Sequence, residues 1–440
     1  MRFTTPMLRP PRHRTTTAHA GVLYPLHASA GLGLNGVYLG EDVAAGGGAF
    51  CFDPFQLYAD DVLTAPNMIV FGQLGFGKSA FAKCFLHRSI GLLGAGPTKQ
   101  PRKAVIADPK GEYEPLAAAL GLQHLRLYPG GPHRLNPLDA GNVGSAANAA
   151  EAVARHTAML AALATECRRG PLTELEETVI GWALHALTAR RSRRPPTLGD
   201  VAALLTDPTG EMASRARRTP DQLAREVEGV RFALERLLSG ALRGMFDGQS
   251  TVTLDWSGRG IVLDLSAVYG SPALGMVMVA TTGWLQAVLL HAADETGRWY
   301  QVIDEAWALL GSTALARHYQ ASQKLARSRG VVNIAITHRV SDLKAQADDG
   351  TTAAKIAEGL LADTQTRVLF HQDADQLADA RTVLGLSETE ADLLPQLVKG
   401  RALWNVADRV AVVHHEVAEA EWSFARTDSR MSVGVNETVA

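Results

Sequence analysis

The sequence predicts an α/β fold with a mostly parallel central sheet, interrupted by an all-α insertion, and three observations carry that prediction. From Met68 onward, short apolar runs of strand length alternate with stretches of helical period, the order that builds parallel βαβ units. The first of these runs ends in a glycine-rich loop that opens a helix. From about Ser145 to Gly248, alanine, leucine and charged residues recur at helical spacing with few β-branched runs.

Residues 1–60 read as an irregular lead-in, broken by Gly31, Gly33, Gly36 and Gly46 to Gly48, with CFDPFQLY as a candidate short strand. Met68 to Phe71 then reads as a buried strand. The octapeptide Gly72-Gln73-Leu74-Gly75-Phe76-Gly77-Lys78-Ser79 fits Gly-x-x-x-x-Gly-Lys-Ser at every fixed position, and a helix follows to about Leu93. Backbone N–H groups from Gly72 to Ala80, reinforced by the positive end of the helix dipole, would form a nest for phosphates. Lys78 would reach the β- and γ-phosphates, and the Ser79 hydroxyl would ligate Mg²⁺. The motif in this context predicts nucleoside triphosphate binding.

Lys103 to Ala107 reads as a second buried strand, ending in DPKGEY (Asp108 to Tyr113). A helix from about Glu114 to Leu120, a strand from Gln123 to Leu127 and the loop PGGPHRLNPLD complete a βαβαβ order, which places ligands at the carboxyl ends of the strands. The insertion should hold four or five helices, with breaks at Gly170-Pro171, Pro195-Pro196 and Pro208. It carries Arg190, Arg191, Arg193 and Arg194, then Arg215, Arg217 and Arg218. Such clusters are usually solvated faces; contact with DNA or a partner is the alternative.

The sheet resumes at Gly260 to Ser266. Ala273 to Ala293 has the length of a membrane span and no charge. Thr281, Thr282 and Gln286, the lack of basic flanks and its place between two strands make it a helix buried on the sheet. Tyr300 to Ile303 is an apolar strand ending in Asp304-Glu305, the Walker B pattern. Asp304 would hold Mg²⁺ through its water shell, and Glu305 would polarise the attacking water. Val331 to Thr337 forms the next strand and puts His338 near the γ-phosphate, either as a participant or as a simple strand cap. Strands at Arg367 to His371 and Ala402 to Val406, and an antiparallel ribbon at Val410 to Glu416, complete the pattern. The chain thus divides into a lead-in (1–60), two parts of one ATPase domain (61–144 and 251–426), the insertion (145–250) and a loose tail (427–440).

A net charge of −2 argues against a chain coated in basic charge, so any nucleic-acid contact would come from local patches. Cys51, Cys84 and Cys167 are far apart and form no CxxC pair, which argues for a reduced, cytosolic compartment and against a zinc site. The opening MRFTTPMLRPPRHR lacks the apolar run of a signal peptide.

With these motifs in place, the chain resembles the HerA–FtsK superfamily of P-loop motor ATPases. Within it, the likeness is greatest to the TraC-like, VirB-type ATPases of type IV secretion and conjugation. FDPF, GQLGFGKS, DPKGEY, RLNPLD, PTLGDV, VIDEAWALL, ARSRGVVNIAITH and GRALWNV carry the likeness, over about residues 35–428. The resemblance implies a RecA-like P-loop NTPase that uses ATP and Mg²⁺ as a ring-shaped homo-oligomer, a hexamer. It implies a peripheral place at the cytoplasmic face of the plasma membrane, with secretion-channel and coupling proteins as partners and DNA as a candidate. The superfamily's arginine finger follows an Arg-x-x-Gly pattern, which here selects Arg327, three residues before Gly330, and leaves Arg329 as a surface or ring-contact residue. Two features depart from the pattern. The sensor strand ends in Thr337-His338 where the family has Thr-Gln, and only about sixty residues precede the P-loop where the family carries a large docking domain. A DNA translocase acting on duplex DNA and a nucleotide-dependent scaffold with little turnover are the rival expectations.

Overall fold

The computed structural model describes residues 31–426 apart from 94–100, 140–145, 191–193, 241, 253–254, 256–257, 293–296, 311, 328–329, 341–358 and 362. Its strands are β1 (Val37–Asp42), β2 (Gly48–Phe52), β3 (Met68–Phe71), β4 (Arg102–Asp108), β5 (Gln123–Arg126), β6 (Gly260–Asp264), β7 (Arg298–Ile303), β8 (Val331–Ile336), β9 (Thr366–Leu369), β10 (Arg401–Val406) and β11 (Arg409–His415). They form one sheet in the order β2-β1-β11-β10-β9-β3-β8-β7-β4-β6-β5. From β9 to β5 every pairing is parallel; from β9 through β10, β11 and β1 to β2 every pairing is antiparallel.

The inner strands of the parallel half are buried on both faces, which is why β3, β6 and β8 read as apolar runs, whereas edge strand β5 is only partly buried. In β3 the alternation is explicit. Ile69 and Phe71 enter the core on one face, and Met68 and Val70 enter the core on the other. Each such side chain contributes roughly 1.5–3 kcal/mol on full burial.

The lead-in differs from expectation, since residues 37–59 are built into the fold. β1 pairs with β11, Gly40 opposite His415, and with β2 across a register shift between Tyr38 and Gly40. Gly40, with φ +148°, permits this bulge: a Cβ there would lie 1.9 Å from His414 O. The expected strand over CFDPFQLY ends at Phe52, and helix α1 (Pro54–Ala59) follows. Asp53 caps it by accepting from Phe55 N, and also pairs with buried Arg102 at 2.5 and 2.8 Å. Arg102 in turn donates to Tyr300 Oη at 2.8 Å, so FDPF braces the Walker B strand from behind.

Helix α2 (Lys78–Arg88) continues as a π-turn over Ser89–Leu93, and α3 (Glu114–Leu120) follows β4. Both lie on the face that buries Met68 and Val70. The insertion has six helices among the described residues rather than four or five: α4 (Ala146–Arg168), α5 (Glu174–Ala189), α6 (Leu198–Thr206), α7 (Gly210–Ala216), α8 (Pro220–Glu226) and α9 (Glu228–Ser239). Two breaks were not expected: one at Arg217, which takes a left-handed φ of +55° and ends α7, and one at Val227, between α8 and α9. PTLGDV proves to be a helix start. Thr197 accepts from Asp200 N, and the Asp200 carboxylate accepts back from Thr197 N.

After β6 come α10 (Leu274–Ala292), α11 (Trp307–Leu310) and α12 (Thr313–Arg327). α4 packs on α10 and α12, so the insertion shares a core with the sheet's second face. RLNPLD closes the base of the insertion. Asn136 Nδ2 donates to Pro196 O at 2.9 Å, its backbone N–H donates to Ser250 Oγ at 3.0 Å, and Leu135 N donates to Met245 O at 2.9 Å. α10 is the expected buried helix, and no helix among the described residues is long and apolar enough to cross a membrane.

Candidate nucleotide site

The order β3-β8-β7-β4 brings four carboxyl ends to one edge, and with them the glycine-rich loop, Thr337-His338, Asp304-Glu305 and DPKGEY. Residues 72–77 connect β3 to α2 and are fastened from outside. Gly72 N donates to His338 O at 3.0 Å, Gln73 N to His371 O at 3.1 Å, and Gly400 N to Phe76 O at 3.0 Å. The Phe76 ring stacks on His371 with centroids 4.1 Å apart and planes 4° from parallel. Only glycine fits at Gly72, because a Cβ there would lie 2.4 Å from Phe370 Cβ. Lys78 Nζ folds back onto the loop, donating to Gly72 O and, at 2.8 Å, to Gln73 O. Burial, opposed in part by Asp304, lowers its ammonium to about 8. Ser79 and Ala80 stand on the first turn of α2, and Leu74 is among the most exposed apolar side chains described.

Asp304 is buried where β7 ends, its N–H donating to Ala107 O on β4 at 3.2 Å. Burial, with repulsion from Glu305 and Asp108, pushes its carboxyl up to about 6. Ser79 and Asp304 offer one hydroxyl and one carboxylate, the sparse oxygen set that Mg²⁺ uses when phosphates and water supply the rest. Asp108 organises DPKGEY: its carboxylate accepts from Lys110 N at 3.2 Å, Gly111 N at 2.8 Å and Tyr113 N at 2.8 Å. The turn so formed aims Lys110 back at the Walker B end.

Glu305 sits in the left-handed region at φ +54°, sparsely populated for a non-glycine residue. Its carboxylate meets Lys110 Nζ at 2.5 Å, His338 Nε2 at 2.8 and 3.1 Å, and the Trp307 indole N–H. Burial would raise this acid, but the hydrogen bonds from His338 and Lys110 outweigh it and bring the carboxyl down to about 2. His338, ambiguous from sequence, therefore contacts Glu305. Lys110 and Trp307 were visible only as letters in motifs, with no role attached. Lys83, fully buried on α2 with its Nζ 5.3 Å from the Tyr113 ring centroid, was also missed. Arg327 is the last residue of α12, just ahead of β8; its side chain, and the whole of Arg329, lie outside the described residues.

No family model matches the chain, and no curated protein matches it in sequence. Solved structures do. VirB4 of Thermoanaerobacter pseudethanolicus aligns with a TM-score of 0.67 at 21% identity, covering 90% of this chain and 100% of that one. Plasmid coupling protein TrwB in complex with ADP and Mg²⁺ aligns with a TM-score of 0.55 at 16% identity, covering 80% of this chain and 86% of that one. TrwB with a non-hydrolysable ATP analogue aligns with a TM-score of 0.56 at 15% identity, covering 94% and 96%. The chain thus has the RecA-like P-loop fold of VirB4 and TrwB, with a mostly parallel sheet.

Proposed function

We propose that this chain hydrolyses ATP as a ring-shaped homo-oligomer, a hexamer, and energises a conjugation or type IV secretion-like complex at the cytoplasmic face of the plasma membrane. Its partners there are secretion-channel and coupling proteins. The observation that carries the catalytic part is the convergence of the P-loop, Asp304 and Glu305 at the carboxyl ends of β3 and β7, on either side of β8. The likeness to VirB4 over the full length of that chain supports the secretion setting. In this reading the backbone of Gly72 to Ala80 cradles the phosphates and Lys78 leaves its carbonyl partners for the β- and γ-phosphates. Ser79 and Asp304 would hold Mg²⁺, which would supply positive charge to offset that on the phosphate oxygens. Glu305 orients and deprotonates the attacking water, His338 reads the γ-phosphate, and Arg327 completes a neighbour's site. Phosphate release from ATP by the purified protein, with and without Mg²⁺, tests the reading; no Mg²⁺-dependent release removes it.

The Asp304 carboxyl gives a pH signature. A carboxyl raised to about 6 is ionised, and able to hold Mg²⁺, only above that pH. The Mg²⁺ concentration for half-maximal hydrolysis should therefore climb as pH falls from 7 to 5.5. A flat requirement across that range would contradict Asp304 as the metal-holding carboxylate.

The likeness to TrwB, a bacterial conjugative coupling protein, supports a second reading: direct translocation of duplex DNA. Stimulation of hydrolysis by duplex DNA separates the two. In the basic clusters, Arg215 lies over the Trp182 ring and Arg218 pairs with Glu226 at 2.6 Å, while Arg191 and Arg193 lie outside the described residues. Replacing Arg190, Arg191, Arg193 and Arg194 by alanine should leave basal hydrolysis intact. If they touch phosphates, the slope of log affinity against log salt should flatten by roughly one for each phosphate no longer neutralised. An unaltered slope makes the cluster a solvated face.

A further inference from the structure

We propose that Lys110 and Trp307, together with His338, form a latch that holds Glu305 out of action, and that a triphosphate on the P-loop opens it. An ionised carboxylate has about four acceptor positions, two on each oxygen. Oε1 of Glu305 receives Lys110 Nζ at 2.5 Å and His338 Nε2 at 3.1 Å. Oε2 receives the same His338 nitrogen at 2.8 Å and the Trp307 indole N–H. The Glu305 side chain is only 2% exposed, and these three donors, the His338 N–H shared between both oxygens, screen its carboxylate from an incoming water. The backbone reinforces the setting. Glu305 N donates to Asp304 Oδ1 at 2.9 Å and Glu305 O accepts from Ala308 N at 3.0 Å, so the left-handed turn itself aims the side chain at its donors.

The donors come from three separate elements: the turn after β4, the start of α11 and the end of β8. All three line one cavity of about 630 Å³ that Gln73 and Leu74 of the P-loop also line. A terminal phosphate held by that loop faces Lys110 and His338 across the cavity. As a second anion it competes with Glu305 for these two donors, and because it displaces only part of their occupancy a fraction of ATP-bound molecules stays latched, so turnover at saturation still reads the latch. Once they turn to the phosphate, Trp307 alone holds Oε2, and Oε1 is free to accept from water. Trp307 is a positioning residue in this scheme, acting on the reaction through Glu305; Lys110 does so in the latched state and faces the phosphate in the open one. The latch rests on the ATPase reading and adds a reason why Glu305 is inactive until the γ-phosphate is in place.

The test is steady-state ATP hydrolysis by the full chain. Trp307→Phe keeps the ring and removes only the N–H donor. It should raise kcat on the order of tenfold, the factor expected from removing one charge-assisted bond, and leave KM within about twofold. Lys110→Met, on a different element, should also raise kcat, but with a raised KM because it removes a cation facing the phosphate. In a Glu305→Gln background, Trp307→Phe should change nothing, since its effect passes through the carboxylate. A kcat at or below the parental value in both single variants overturns the latch. So does an equal increase in the Glu305→Gln background, which would be a structural effect. A parental protein that binds no ATP overturns the ATPase reading and the latch with it, whereas an active parent with unchanged variants overturns the latch alone.

Discussion

Glu305→Gln should bind ATP with Mg²⁺ as the parent does and hydrolyse it at least about a hundredfold more slowly. The binding half follows from where the affinity lies. The phosphate nest is made of backbone N–H groups from residues 72–80 together with Lys78, and Glu305 is not among the Lys78 partners. The rate half follows from charge. A glutamine keeps the shape and can still accept from the Trp307 indole, but it can neither take the proton of water nor stabilise a developing hydronium. Fluorescent-nucleotide titration and phosphate release, run on one preparation, separate the two halves. Parental turnover in Glu305→Gln would mean that the Walker B reading is wrong, whatever the fate of ATP binding.

The strand–loop–helix around Lys78 was legible because the information is local. β3 needs four consecutive apolar residues for its two cores, and Gly72 is demanded by a neighbour 2.4 Å from its missing Cβ. β7 and β8 were legible for the same reason, as apolar runs with polar ends. The lead-in was opaque because its order is not local. β1 is held by β11, some 370 residues away, and its Gly40 forms a bulge that no local pattern announces. Of the two unexpected breaks in the insertion, one depends on Arg217 taking a left-handed conformation with no glycine to announce it, and the other falls at Val227, with no glycine or proline at the break. Motif letters gave residues without roles. FDPF braces the Walker B strand through Arg102, RLNPLD closes the insertion's base and PTLGDV caps a helix, structural jobs that the letters alone did not show. Lys110 and Trp307 were hidden for the opposite reason: they stand 195 and 2 positions from Glu305, and only the sheet order and the left-handed turn make them converge on it.

Lys78→Ala and Arg327→Ala should each lack turnover alone and recover part of it when mixed. Lys78→Ala deletes the cation that offsets charge on the β- and γ-phosphates. In the parent that ammonium is already at the mouth of the loop, held by two carbonyls it can exchange for phosphate oxygens. Arg327→Ala should cost on the order of a thousandfold if the guanidinium stabilises charge on a neighbour's γ-phosphate, the usual worth of an arginine supplied in trans. Arg327 closes α12, and β8, which follows it, runs parallel to both β3 and β7, so the helix end and the phosphate edge lie at opposite ends of β8. One six-residue strand spans roughly 20 Å. That separation disfavours Arg327 reaching the P-loop of its own chain and favours action on the next one. In a mixed ring, an Arg327→Ala subunit contributes an intact P-loop and a Lys78→Ala subunit contributes an intact arginine, so one class of interface is whole. Mixing at equal concentration should restore a fraction of parental activity that peaks near a one-to-one ratio. Full activity of Arg327→Ala alone would remove the arginine from the mechanism. Silence on mixing, with shared rings demonstrated by cross-linking, would remove its action in trans.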